Sequence, residues 1–112
     1  MKPRVFVPMV PSRFDRDLRT WVPSVDIHAA ERHGEIVIML PPDASKAGPA
    51  PCVAAMREKM ATMTAEDSLL AVGDPSLIAA AAALASRVTG GVLRVLKWDR
   101  YTRDYLAVEM KI

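Results

Sequence analysis

Continuous apolar runs alternate along this chain with segments of helical spacing. Glu35-Ile36-Val37-Ile38-Met39-Leu40 is apolar after its first residue and shows no alternation, the mark of a strand covered on both faces. Pro41-Pro42 ends it. Ser68 to Val72 is a second such run, and Val92 to Trp98, which carries Arg94 and Lys97, reads as a third strand. From Pro51 to Met63, Val53, Met56, Met60 and Met63 recur at helical spacing with Arg57, Glu58 and Lys59 between them, which predicts an amphipathic helix packed through its methionines. A second helix spans Ser76 to Val88. Asp74 is suited to cap it and Pro75 to occupy its first turn, and Thr89-Gly90-Gly91 stops it. Its alanines, Ala79 to Ala83, let it lie close against a sheet.

The flanks read differently. Tyr105 to Ile112 alternates, as an edge strand with one solvated face does, and should return antiparallel to the third run. Val5 to Val10 is rich in β-formers but is broken by Pro8, so it reads as an edge strand, with Trp21 to Val25 returning beside it as a ribbon. Asp26 and Gly34 bracket a short helix, Ile27 to His33. Asp43 to Pro51 is a loop of small residues and prolines.

Strand, helix, strand, helix, strand predicts an α/β fold with right-handed crossovers. The expectation is a single domain over residues 1–112: a small sandwich with three central parallel strands, an antiparallel C-terminal edge strand and an N-terminal β-ribbon. With helices on opposite faces, the strand at 36–40 would lie in the middle, and a ligand crevice would open at its C-terminal end beside residues 41–51.

One pattern occurs twice. Phe14-Asp15-Arg16-Asp17-Leu18-Arg19-Thr20-Trp21 and Trp98-Asp99-Arg100-Tyr101-Thr102-Arg103-Asp104-Tyr105 both read aromatic-Asp-Arg-x-x-Arg-x-aromatic. The spacing predicts two β-hairpins, each with an aromatic cross-strand pair, an Asp that starts the turn, and two arginines at the tip. Arg16, Arg19, Trp21, Trp98, Arg100 and Arg103 are therefore the candidate partner-binding residues. Arginine and tryptophan are enriched in protein-binding hot spots, and arginines beside aromatics also grip phosphate and stack on bases.

Composition narrows the classes. A net charge of +2 over 112 residues is too small to argue nucleic-acid binding by itself. One cysteine, Cys52, excludes a disulfide framework within the chain and fits a reducing, cytoplasmic compartment; a buried apolar role suits it better than a reactive one. The longest apolar run, Leu77 to Ala85, is too short to span a bilayer, and no membrane association is expected.

Chemistry-bearing clusters are sparse. Asp43, Asp74 and Asp99 each follow a central strand, where strand ends converge on ligands, and with Lys46, Ser76 and Lys97 they form an alternative site for a nucleotide or phosphate with Mg²⁺. Helix capping explains Asp74 and turn formation explains Asp99 without any ligand. Gly73-Asp74-Pro75-Ser76 is no glycine-rich phosphate loop, because Pro75 removes a donor and Asp74 places a negative charge where the anion would sit. His28 and His33 stand five apart, outside the spacing for a metal pair on one helix face, so solvated surface histidines are expected and no resident cofactor or metal.

The stretches Trp21-Val22-Pro23-Ser24-Val25-Asp26, Leu70-Ala71-Val72-Gly73-Asp74-Pro75 and Leu93-Arg94-Val95-Leu96-Lys97-Trp98-Asp99 resemble those of small uncharacterised proteins of tailed bacteriophages. The resemblance implies an accessory role in the host cytoplasm and transfers no functional residue. Proteins of that kind often act by binding a host or phage macromolecule. The expected function is thus a non-enzymatic binding module with a protein partner. Nucleotide binding and nucleic-acid binding are the alternatives. The edge at 105–112 also allows a homodimer.

Overall fold

A computed structural model of the chain describes residues 2–112. Its main sheet has five strands in the order β4-β1-β5-β6-β7. These are β1 (Arg4–Val7), β4 (Glu35–Ile38), β5 (Ser68–Leu70), β6 (Val92–Asp99) and β7 (Asp104–Lys111). A separate two-stranded ribbon joins β2 (Ser12–Asp15) to β3 (Thr20–Pro23). β4, β1, β5 and β6 run parallel, and β7 is the antiparallel edge. The three expected parallel strands are present, joined by a fourth.

That fourth strand is β1, and it lies inside the sheet, between β4 and β5. Val5, Phe6 and Val7 are completely buried. Pro8 does not break the strand, because it falls one residue past its end. The antiparallel ribbon forms instead from residues further along, Ser12 to Pro23, with Pro23 on its rim as an edge proline should be. The strand at 36–40 is displaced in turn. As β4 it occupies the edge rather than the middle, and Ile38 is half-exposed.

Helix α1 (Pro49–Lys59) and helix α2 (Pro75–Val88) pack against each other on one face of the sheet, not on opposite faces. Their core joins Phe6, Leu69 and Leu93 to Met56, Met60, Leu77, Ala81 and Leu84. The methionine stripe is core packing, and Cys52 lies buried in the same cluster. The short helix expected at 27–33 is a 3₁₀ helix, His28–His33, which covers the opposite face over Val5, Val7, Leu70 and Leu96. This arrangement follows from handedness. The connection from β1 to β4 moves one way along the sheet and those through α1 and α2 move the other, so right-handed crossovers must take opposite faces.

The N-terminal ends of β1 and β5 are tied by Asp67, a buried carboxylate. It accepts the Arg4 N–H at 2.8 Å, the Thr64 N–H at 2.9 Å and the Arg4 Nη2 at 3.1 Å.

Candidate functional site at the C-terminal rim

All four parallel strands end on one rim, and both hairpins spring from it. The topological switch point, where neighbouring connections depart in opposite directions, lies between β1 and β5. A cleft of about 630 Å³ opens there, lined by Met9, Pro11, Ser12, Trp21, Pro42, Ser45, Gly73, Asp74 and Ile78. The crevice is therefore displaced from the end of strand 36–40 to the next strand gap, because β1 inserts between β4 and β5. At its floor, Gly73 has φ +101°, and a Cβ there would stand 2.9 Å from the Met9 carbonyl oxygen. Only glycine lets the two switch loops approach this closely.

The first hairpin walls this cleft. Phe14 pairs with Trp21 across β2 and β3, their rings edge to face with centroids 5.7 Å apart. In the second hairpin Trp98 pairs with Tyr105 in the same way at 5.1 Å. Each loop has four residues between its last cross-strand pair, Asp15 with Thr20 and Asp99 with Asp104. The leading Asp starts each turn. Asp15 accepts the N–H groups of Asp17 and Leu18 at 2.9 and 3.1 Å. Asp99 accepts the Thr102 hydroxyl at 2.8 Å and the Tyr101 N–H at 3.3 Å.

The repeat extends to backbone conformation. Arg19 and Arg103 close the two loops at φ +51° and +53°, and no other non-glycine residue among those described has positive φ. Left-handed backbone costs a residue with a side chain about 1 kcal/mol, and glycine or asparagine usually takes such a place. Here both loops hold arginine. Arg16, Arg19, Arg100 and Arg103 are all exposed, and none of them forms an ion pair among the described residues. Beside them stand exposed apolar side chains, Leu18 at 67% and Tyr101 at 85% of full exposure. Leu18 and Tyr101 were not singled out by the sequence pattern, which aligned the charges and aromatics but not the apolar tip residue. Arg100 lies 5.5 Å from the Tyr101 ring centroid, and Lys46 5.9 Å from that of Trp21.

The alternative ligand set divides. Asp74 and Ser76 meet Ser45 at a smaller cavity of about 260 Å³ beside the cleft, and Lys46 leans over Trp21. Lys97 and Asp99 line neither cavity; they belong to the base of the second hairpin. Asp43 is exposed and precedes a 3₁₀ turn, Ala44–Ala47. Asp74 caps α2, accepting the Ser76 hydroxyl at 2.7 Å and the Ser76 N–H at 2.8 Å. Those two bonds, the hydroxyl foremost, hold its carboxyl below the usual range, so it is anionic at neutral pH. The Thr102 hydroxyl does the same for Asp99. Among the described residues no three His, Cys, Asp or Glu side chains gather at metal-binding spacing. His28 is solvated and pairs with Glu31, whereas the His33 Nε2 lies 3.2 Å from the Tyr105 carbonyl oxygen and so does not merely face solvent.

The model of one protein family matches residues 3–112, nearly the whole chain. The chain belongs to the Phage Pam3 gp32-like protein family. As a member of that family it is a phage protein, in line with the tailed-phage resemblance of its three quoted stretches. No curated protein and no solved structure matches it. Among the described residues no helix is long and apolar enough to cross a membrane.

Proposed function

We propose that this phage protein is a non-enzymatic binding module that engages a host or phage protein in the host cytoplasm through its two arginine-tipped hairpins. The observation that carries the reading is the pair of left-handed arginines, Arg19 and Arg103, at equivalent positions. A residue kept where the backbone penalises it, twice, points to a role for its side chain beyond the turn. The neighbouring Leu18 and Tyr101 supply exposed apolar area next to unpaired cations, the mixture that hot spots favour.

This reading separates folding from recognition. Replacing Arg19 and Arg103 together by glycine relieves the backbone and should leave the melting temperature equal or higher. The same variant should retain less partner when wild type and variant are compared side by side in capture from a lysate of phage-infected cells. Alanine at Arg16, Arg19, Arg100 and Arg103 together should abolish retention, since each true anchor is worth about 2 kcal/mol. Equal recovery of the same proteins by wild type and the fourfold variant would end the proposal. If the retained material is instead nucleic acid, its binding should fall steeply between low and moderate salt as counterions are released.

The cleft at the switch point favours a second reading, a small-ligand domain of the nucleotide- or phosphate-binding kind with Mg²⁺. The charge of Asp74 at the α2 N-terminus opposes an anion there. Melting with Mg²⁺ and a panel of nucleotides tests it. A ligand at about 100 times its dissociation constant should add about 2.7 kcal/mol of stability and raise the melting temperature visibly. An unmoved transition across the panel removes this reading.

A further inference from the structure

The outer edge of β7 is closed over its first part and open over its last. Ile112 donates its N–H to the Gly91 carbonyl of the β6 side at 2.7 Å, which fixes the phase of the strand. Even-numbered residues of β7 turn their backbone groups to β6, and Tyr105, Ala107, Glu109 and Lys111 turn theirs outward. The outward carbonyl of Tyr105 is already taken, by Arg32 Nη2 at 3.2 Å and His33 Nε2 at 3.2 Å, and Arg32 also pairs with Asp104 at 2.7 Å. What stays available is the stretch from Ala107 onward.

Its side chains are self-complementary. α2 packs over β5 and β6, and on the helix side of β7 Met110 is 40% and Ile112 77% exposed, with Val108 half-buried beside them. On the other side, Glu109 sits beside Arg94 at 3.2 Å, and Lys111 stands opposite Val92. Phase requires that the hydrogen-bonded pairs across a two-fold axis join odd residues to odd ones, with even residues facing even ones between them. A pairing centred on Val108 would need the Tyr105 carbonyl that Arg32 and His33 occupy. One centred on Glu109 would oppose two like charges. Centring on Met110 sets Glu109 opposite Lys111 of the second copy, twice, and Val108 opposite Ile112, twice.

We infer that β7 is the contact surface for a second copy of this chain, paired antiparallel about Met110 so that the two sheets become one of ten strands. On one face the row then runs Arg94, Glu109 and the second copy's Lys111, alternating in sign. On the other face the row is apolar throughout. The surface is independent of the hairpin tips, so variants at Arg16 or Arg103 leave it intact.

The test uses the full chain in sedimentation equilibrium. Wild type should be dimeric. Glu109→Lys alone and Lys111→Glu alone should each be monomeric, because each sets like charges opposite each other in both pairs. Mixed one to one they should form a heterodimer, since both pairs are then restored. Met110→Cys should give an interchain disulfide under mild oxidation, while Val108→Cys should not, because only residues at the axis meet their own copies. A monomeric wild type, a dimer indifferent to Glu109→Lys, or a disulfide through Cys at 108 instead of 110 would each overturn the inference.

Discussion

Phe6→Ala is expected to cost about 4 kcal/mol of folding stability. Phe6 is completely buried in the middle of β1, an interior strand, flanked by Val37 of β4 and Leu69 of β5 in register. Its ring faces the helix side, in the cluster with Met56, Met60, Leu77 and Ala81. Truncation removes the transfer free energy of a benzyl group and leaves a cavity that two helices and three strands cannot readily collapse. A domain of this size is stable by about 5–15 kcal/mol, so the variant is best measured beside Phe6→Leu, expected to lose about 1.5 kcal/mol. Urea unfolding of both gives the numbers. The result discriminates between two placements of the same residues. A strand in a solvated ribbon would lose under about 1 kcal/mol on Phe6→Ala, and such a value would refute the interior position of β1.

That position is also where sequence reasoning and fold part company, for a physical reason. Val5-Phe6-Val7 is a run without alternation, the same signal that marked 36–40 and 68–72 as buried. Pro8 outweighed it, although a proline just past a strand's end removes no ladder hydrogen bond. Once β1 lies between β4 and β5, β4 is the edge and the crevice moves, so one misplaced boundary accounts for both displacements. The hairpins were legible because their signal is local. Aromatic spacing, turn-forming Asp and loop length lie within eight residues, and no distant contact is needed to fix them. The left-handed arginines follow from the repeat only once the loop length is known. Helix α2 was legible through Asp74 and Pro75. The choice of sheet face for α1 and α2 was not, because it depends on strand order, which no single segment encodes. Asp67 carries no local signal in the sequence, because its role arises from Arg4, 63 residues away.

Asp67 carries the second large effect. Asp67→Ala should cost about 3 kcal/mol, because it leaves the Arg4 and Thr64 N–H groups without their acceptor and removes the charge facing a half-buried guanidinium. The guanidinium itself keeps Thr62, donating to its carbonyl at 2.7 Å and its hydroxyl at 2.9 Å, which limits the loss. Acidity offers a sharper test. Burial pushes the Asp67 carboxyl up, but the N–H bonds from Thr64 and Arg4 and the Arg4 guanidinium together outweigh burial and hold it below its ordinary value. The unfolded chain therefore takes up the proton first as pH falls. The stability Asp67 contributes is complete above the ordinary carboxylate value of about 4 and is lost as pH drops through the lower, folded value. Asp67→Asn removes that dependence, while Asp74 and Asp99, whose carboxyls are lowered too, remain in both proteins and cancel in the comparison. Unfolding free energies of wild type and Asp67→Asn between pH 7 and pH 3 should thus converge toward acid. Parallel curves would mean that the charge on Asp67 does not hold the ends of β1 and β5 together, and that its hydrogen-bonding shape alone does.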